Sequence, residues 1–297
     1  MAIVRSKGEL AFHIFNYFFL GAFSLLTAYP FLNMLAVSLS GPSPIGLGKV
    51  YLIPLEIQFR SYTFMLENKL FWDAIRFTAS ITVAYVVLGV LLTAIIAYPL
   101  SKKSFRLKKV MTMMIVATMF FQVGLIPEFL LYRTLGILDT VWVLIIPGCI
   151  STWSLLILRN FFMTIPDSIE ESALIDGANE LQIFFRIVIP MSTPVIATIT
   201  LWYAVAEWNT FYQVIMFTNK QELNSLQVVL RSIVMDREGI GGMMTDSATN
   251  RAKGNINMTP QSVKAVSIVL ATLPIMLVYP FLQKYFVKGV IVGALKG

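Results

Sequence analysis

The sequence predicts an all-α polytopic membrane protein with six transmembrane helices. Apolar residues make up 57% of the 297 positions and charged residues only 13%, and the mean hydropathy is +0.75. A soluble domain is typically about half apolar and a quarter charged. The apolar residues also gather into uncharged runs of about 20 residues, the length that a helix needs to cross about 30 Å of hydrocarbon. Helices are expected because they satisfy their own backbone polar groups in lipid.

Six runs are long enough to span a membrane, and none of them contains Asp, Glu, Lys or Arg. The predicted spans are residues 10–39, 77–100, 110–127, 140–158, 187–206 and 265–283. The first run exceeds the apolar core of a signal peptide, about 7–15 residues, so we expect it to remain as a membrane anchor. The whole chain, 1–297, is therefore expected to form one transmembrane domain.

The loop between the second and third spans predicts the orientation. It contains five basic residues and no acidic one: Lys102, Lys103, Arg106, Lys108 and Lys109. Short loops rich in Lys and Arg stay in the cytoplasm. Both termini and the loop 159–186 are then cytoplasmic, and the loop 207–264 is external. This arrangement also accounts for the net charge of +7, so we expect no nucleic-acid partner.

Several kinds of chemistry are not expected. Cys149 is the single cysteine and His13 the single histidine, which excludes a disulfide within the chain and a His-rich metal site. The sequence has no phosphate-binding loop of the G-x-x-x-x-G-K-[ST] type. We therefore expect neither a catalytic residue nor a cofactor in this chain.

The cytoplasmic loop 159–186 is predicted to contain a short helix over 167–177. Asp167 or Ser168 is suited to cap its start, and Ser168 and Glu171 have capping-box spacing. Gly177 is expected to end it. A second helix is expected to begin near Asn179 and to run into the fifth span.

Two further features of this loop bear on its contacts. Pro190 is expected to mark a bend in the second helix. In the first helix, Ile169, Ala173 and Leu174 fall on one side and need a partner to cover them. That partner is either the chain's own membrane helices or another protein.

Residues 166–190, PDSIEESALIDGANELQIFFRIVIP, resemble the signature loop of ABC importer permeases, E-A-A-x-x-x-G-x9-I-x-L-P. Ser172 stands for the first Ala, and Ile189 stands for the Leu. In that family the loop forms a coupling helix that binds in a groove of a separate ATPase subunit. The resemblance implies these coupling residues: Glu170, Glu171, Ser172, Ala173, Asp176, Gly177, Ala178 and Pro190.

Two other segments look like carbohydrate permeases of the maltose type. They are residues 202–217, WYAVAEWNTFYQVIMF, and the C-terminal KYFVKGVIVGALKG. The resemblance is nearest to importers of oligosaccharides from complex polysaccharides, including alginate-type importers. It implies a permease of the bacterial cytoplasmic (inner) membrane that moves oligosaccharides inward by alternating access.

The same resemblance implies a set of partners. They are a homologous second permease forming a heterodimer, two ATPases that bind ATP and Mg, and an external solute-binding protein. It also places the C-terminal tail at the ATPases, in a regulatory or structural role.

Residues of the substrate path are harder to predict. Sugar sites combine aromatic faces with amide and hydroxyl groups, and suitable residues are Gln122, Trp153, Trp202, Tyr203, Trp208 and Asn209. Aromatic residues are equally typical of the interfacial belt. Glu207, at the outer end of the fifth span, is either an interfacial anchor or a path residue.

Two other classes of membrane protein remain open at this point. An ion-coupled secondary transporter needs ionisable residues inside its spans, and the six runs have no Asp, Glu, Lys or Arg. A channel or a structural membrane protein would not require an ATPase or the signature loop.

Overall fold

The structure is a computed structural model that describes residues 7–121, 123–235 and 258–294. Within these ranges every regular element is helical, which confirms the predicted all-α class. The α-helices are α1 Lys7–Ser38, α2 Pro42–Gly46, α3 Arg60–Glu67, α4 Lys69–Ser101, α5 Lys108–Thr118, α6 Leu125–Thr134, α7 Trp142–Ile145, α8 Thr152–Phe162, α9 Asp167–Ile175, α10 Glu180–Ile183, α11 Ile189–Met191, α12 Thr193–Trp208, α13 Tyr212–Phe217, α14 Leu226–Met235 and α15 Pro260–Ala294. Short 3₁₀ segments lie at Ile146–Gly148 and Gln221–Leu223, and a π-helical turn at Phe184–Val188.

Among the described residues, three helices are long and apolar enough to cross a membrane: Gly8–Ser38, Lys69–Ser101 and Pro260–Val278. Two bent pairs meet the same test when each is taken as one span. Trp142–Gly148 with Thr152–Phe162 is bent by 48°, and Glu180–Met191 with Thr193–Trp208 by 81°. By length and composition these helices account for five of the six predicted spans.

The predicted third span, 110–127, is not one continuous helix. α5 has 11 residues and ends at Thr118, and α6 begins only at Leu125. Eleven residues rise about 16 Å, roughly half of the hydrocarbon thickness. Gly124 is extended at the N-cap of α6 and Pro127 lies in its first turn, where proline starts a helix more readily than it continues one. The count of six spans therefore stays a prediction.

The chain divides into two compact units. The first comprises residues 1–69 and 230–273. In it α3 packs on the start of α15, where the Ser61 hydroxyl donates to the Ser262 hydroxyl at 3.0 Å and the Ser267 hydroxyl lies 3.6 Å from the Met65 sulfur. In the apolar window of α1 only 6% of the residues are buried, so α1 leaves most of its surface for lipid or another chain.

The second unit comprises residues 70–229 and 274–297. Its largest apolar cluster joins α4, α8, α9, α10 and α12, with buried side chains from Ala94, Ala97, Leu100, Leu155, Leu158, Phe162, Ala173, Ile183, Val188 and Ile199. Small residues on α4 let neighbouring backbones approach closely. The loop helix α9 is thereby packed onto the apolar helices of its own chain.

Candidate functional site

The loop helix is α9, which begins at Asp167 and has Pro166 at its N-cap. The predicted capping box of Ser168 and Glu171 is wrong, because no side chain caps this helix. The helix starts two residues earlier than that box requires. Its acidic first turn, which contains Asp167 and Glu170, suits the positive end of the helix dipole.

The end of α9 lies where the sequence predicts. Gly177 has φ +82°, a left-handed conformation that glycine adopts without a steric penalty. Its N–H donates to the Leu174 carbonyl at 3.0 Å, and the Ala178 N–H donates to the Ala173 carbonyl at 2.9 Å. These two bonds form a Schellman motif, which satisfies two carbonyls at the helix end.

The following helix begins at the predicted residue with a capping box of its own. The Gln182 N–H donates to Asn179 Oδ1 at 2.8 Å, and the Asn179 N–H donates to Gln182 Oε1 at 2.9 Å. The predicted bend at Pro190 is displaced, because the 81° break lies at Ser192, between α11 and α12. Pro190 itself lies within the continuous helical segment Glu180–Met191, directly after the π-helical turn Phe184–Val188.

Ion pairs join α9 to the basic loop that follows α4. Lys102 pairs with Glu170, and Lys103 Nζ lies 2.7 Å from Asp167 Oδ2. The Lys102 ammonium also lies 4.2 Å from the centre of the Tyr98 ring. From the sequence, these lysines indicated only the orientation of the chain in the membrane. No local sequence pattern links them to acidic residues more than sixty positions away.

The two sides of α9 differ in exposure. Ala173 is 7% exposed and belongs to the main apolar cluster of its unit. Leu174 is exposed, Ile175 is 86% exposed, and Glu171 is also exposed. Within the described residues, the Glu171 side chain forms no hydrogen bond or ion pair, and its charge raises the pKa of Lys103. The chain's own helices therefore cover one side of α9 and leave an opposite side with apolar and acidic groups uncovered.

Other predicted coupling residues are placed as follows. Ser172 and Asp176 are exposed on α9 and at its C-cap, and the Ser172 hydroxyl donates to the Ser168 carbonyl at 2.8 Å. Ala178 is half-buried against the main cluster. Leu181, which the signature does not include, is exposed just beyond the loop helix.

Tyr203, a predicted path residue, is buried in a polar cluster of the second unit. Its hydroxyl lies 3.0 Å from Thr93 Oγ1 and accepts the Ser151 N–H at 3.0 Å. Its ring meets that of Tyr85 edge-on at 5.5 Å between centroids, and the Tyr85 hydroxyl donates to the Gly148 carbonyl at 2.7 Å. Sequence reasoning missed Tyr85, Thr93 and Ser151. Their one signal was a polar atom inside an uncharged run.

Glu207 lies one turn of α12 after Tyr203 and is only 5% exposed. Its Oε1 has no hydrogen-bond partner among the described residues, and the carboxylate interacts electrostatically with Tyr85 and Cys149. A buried polar atom without a partner is costly. Its open acceptor is suited to a hydroxyl donor from outside the chain.

The remaining path candidates are more dispersed. Trp208 is buried, whereas Trp153, Trp202 and Asn209 are exposed. The Asn209 amide donates to the Val205 carbonyl at 2.7 Å. Gln122 lies outside the described residues. In the described ranges no group of three His, Cys, Asp or Glu residues is arranged to hold a metal ion.

Residues 86–292 match the family described as "Binding-protein-dependent transport system inner membrane component". The chain belongs to this family. It is a permease component of the inner membrane, a non-catalytic subunit. The predicted relationship to ABC importer permeases is thereby confirmed.

Two relatives cover nearly all of the chain. The polygalacturonan/rhamnogalacturonan transport system permease protein YtcP of Bacillus subtilis (strain 168) is 38% identical over 286 residues, covering 96% of this chain and 98% of that protein. Protein LplC of the same organism is 35% identical over 295 residues, covering 99% and 97%.

Two solved structures have the same fold. A chain of a bacterial ABC transporter involved in import of the acidic polysaccharide alginate matches with a TM-score of 0.85 and 34% identity, covering 95% of this chain and 99% of that one. A chain of a bacterial alginate ABC transporter in complex with an alginate pentasaccharide-bound periplasmic protein matches with a TM-score of 0.57 and 17% identity. The second likeness supports the fold alone.

Proposed function

We propose that this permease moves oligosaccharides derived from complex polysaccharides inward, with the free energy of ATP hydrolysis transmitted through α9. The uncovered side of α9, with Glu171, Leu174 and Ile175, carries the proposal. It lies on a helix that Lys102 and Lys103 hold against the membrane helices. A short helix held in this way can transmit a rigid-body movement.

The partners of the proposed importer supply what this chain lacks. Two ATPase subunits bind ATP and Mg, and one of them receives α9 in a groove that accepts the apolar pair and the Glu171 carboxylate. A homologous second permease completes the membrane pathway, and an external solute-binding protein delivers the oligosaccharide. Alternating access then arises from rocking of the helices. Both termini and the loop 159–186 are cytoplasmic in this arrangement, and 207–264 is external.

The proposed substrate class rests on the relatives, one of them a polygalacturonan/rhamnogalacturonan permease and another from an alginate importer. Within this chain, Glu207 is the group best placed to meet a sugar, because Oε1 is an unused acceptor. Tyr203 already uses its hydroxyl in contacts with Thr93 and Ser151. We therefore assign Glu207 to the path and Tyr203 to its support.

The coupling role is tested by Ile175→Asp and Glu171→Ala in the complete transporter, with Ser168→Ala as an exposed control on the same helix. ATP hydrolysis stimulated by the solute-binding protein and the amount of ATPase retained after purification are measured. Ile175→Asp should lower both, because a carboxylate replaces an apolar contact. Glu171→Ala should lower hydrolysis, and Ser168→Ala should change neither. Wild-type hydrolysis in both test variants would overturn the assignment.

The substrate class is tested by uptake of labelled oligogalacturonides, alginate oligomers and maltooligosaccharides into proteoliposomes. Uptake of one of the first two, dependent on ATP, is the expected result. Uptake of maltooligosaccharides alone would refute the proposal. Uptake driven by an ion gradient without ATP would favour the ion-coupled alternative, and passive flux would favour a channel. Membership of the binding-protein-dependent family argues against both.

A further inference from the structure

The chain that leaves α1 folds back along it. The Asn33 side-chain amide donates to the carbonyls of Val50 and Tyr51 at 3.1 and 2.7 Å. Asn33 precedes Ser38, the last residue of α1, by a distance of about 7.5 Å along the helix axis. Residues 50 and 51 therefore lie beside the last turns of α1 and not beyond its end.

Hydrogen bonds hold this returning segment in place. The Leu55 N–H donates to Ser40 Oγ at 3.0 Å, and the Gly41 N–H donates to the Leu55 carbonyl at 2.9 Å. Gln58 donates from its backbone to Leu39 at 3.0 Å and from its side chain to the Ser40 carbonyl at 3.1 Å. The segment is thus anchored through its backbone at several points.

The inward contacts use few of its apolar side chains. Val50 is buried with Ala36 and Ile45. The large apolar side chains that stay exposed between residues 47 and 59 are Leu47, Tyr51, Leu52, Ile53, Leu55, Ile57 and Phe59. A fixed segment with seven such side chains on its outside is typical of a surface that contacts membrane or protein. We call this segment, residues 47–59, the returning loop.

The length of α1 sets the depth of the returning loop. Its 32 residues span about 48 Å, against about 30 Å of hydrocarbon and 40–45 Å with the headgroups. If α1 is centred on its uncharged run, residues 10–39, Asn33 lies about 13 Å from the middle of the bilayer, close to the boundary between acyl chains and headgroups. The returning loop reaches the same depth through its bonds to Asn33.

We propose that the returning loop is an interfacial membrane anchor, whose apolar side chains insert among the lipids of the leaflet at this end of α1. Under the proposed orientation this is the outer leaflet. The exposed surface of α1 continues towards it through Phe31, Leu32 and Leu35. Lys49, near its start, and Arg60, directly after its end, are exposed, positions from which basic side chains reach lipid phosphates.

The one acidic residue of the returning loop does not oppose this placement. Glu56 has φ +54°, and its side chain lies against Gly41, next to the end of α1. The carboxylate therefore lies at the turn between α1 and α2. Amphipathic segments of this kind bind the interface in proportion to the apolar area that they bury.

The proposal is tested in the complete transporter in lipid nanodiscs. Ile53→Cys, whose native side chain is 74% exposed, carries a nitroxide label. Ser43→Cys, at an exposed polar position of α2, is the matched control. The labelled wild-type chain corrects for Cys149, which is buried. Collision rates with oxygen and with a water-soluble nickel chelate are compared.

The label at residue 53 should collide several-fold more with oxygen and several-fold less with the nickel chelate than the label at residue 43. Equal access to the chelate at both positions would overturn the proposal. Low collision rates with both reagents would show burial against protein and would also overturn it. Protection from the chelate that appears only after the solute-binding protein is added would assign the surface to that protein instead.

Discussion

The ammonium of Lys103 lies 2.7 Å from Asp167 Oδ2, which connects the basic loop after α4 with the first turn of α9. Both side chains are largely exposed. Beside this pair, Lys102 and Glu170 form a second one that is mostly shielded, with 24% and 18% of the two side chains exposed. Two adjacent ion pairs of unequal burial therefore hold the same helical turn, and they are expected to respond differently to solution conditions.

The exposed pair should contribute little and should be lost only in strong acid or strong base. The Lys103 hydrogen bond lowers the pKa of Asp167 below its ordinary 3.8, and Asp167 raises the pKa of Lys103 above its ordinary 10.5. The Asp167 contribution is present above its unfolded-state pKa and is lost as pH falls through the lower folded-state pKa. The Lys103 contribution is present below its unfolded-state pKa and is lost as pH rises through the higher folded-state pKa.

Thermal unfolding of the purified transporter at pH 3 to 8 should therefore show a small Asp167→Asn difference that is constant above about pH 5. The difference should shrink below about pH 4 and should also fall at high salt. Ser168→Asn, at an exposed neighbouring residue, is the control. A difference that grows as the pH falls would contradict the assigned role of this pair.

Glu170→Gln should destabilise the transporter by about 1–3 kcal/mol, because a shielded ammonium loses its charged hydrogen-bond partner. The double variant Lys102→Met with Glu170→Gln should lose less than the sum of the two single variants, since no unpaired charge remains. Denaturant unfolding of the four proteins measures the coupling. Additive losses would show that the two side chains act independently.

Gly177→Ala should cost about 1–2 kcal/mol, because an L residue is strained in the left-handed conformation at φ +82°. No heavy atom lies within 4 Å of an added Cβ, so the loss is conformational and not steric. Gly177→Asn, which tolerates this region better, should recover part of it. Thermal stability and binding-protein-stimulated ATP hydrolysis are both measured. Equal stability of the Ala and Asn variants would argue against conformational strain as the cause.

Gly148→Ala should destabilise the bent helix pair Trp142–Gly148 and Thr152–Phe162 by about 1–3 kcal/mol through overpacking. An added Cβ would collide with the Tyr85 hydroxyl and lie 3.0 Å from Tyr85 Cε2, and that hydroxyl donates to Gly148's own carbonyl. Gly21→Ala, within α1, is the control because its Cβ would meet nothing within 4 Å. It should be neutral or slightly stabilising in thermal unfolding. Equal effects of the two substitutions would refute the close contact at Gly148.

Local patterns in the sequence predicted several elements well. The uncharged runs indicated α1, α4 and α15, and Gly177 ended α9 as expected. The start of the next helix at Asn179 was also correct. These features depend on residues within a few positions of each other, so their causes are present in any short window of the chain.

Other features could not be read from neighbouring residues. The pairing of Lys102 with Glu170 and the contact of Tyr203 with Thr93 join positions 68 and 110 apart. The side of α9 that packs inward could not be read from its sequence either. Ala173 is buried, whereas Leu174, predicted to share its side, is exposed. Even the local capping box at Ser168 was wrong, because the helix begins at Asp167 and brings its acidic turn to the lysines.

By itself, the sequence determined that this protein lies in a membrane as a bundle of helices and that its loop 159–186 carries the permease signature. Hydrophobic length and the conformational preferences of glycine, proline and capping residues are sufficient for that. Only the tertiary structure decided which side of α9 is free, which acceptor of Glu207 is unused, and that residues 47–59 return along α1. Each of these depends on which distant side chains compete for the same space and the same hydrogen bonds.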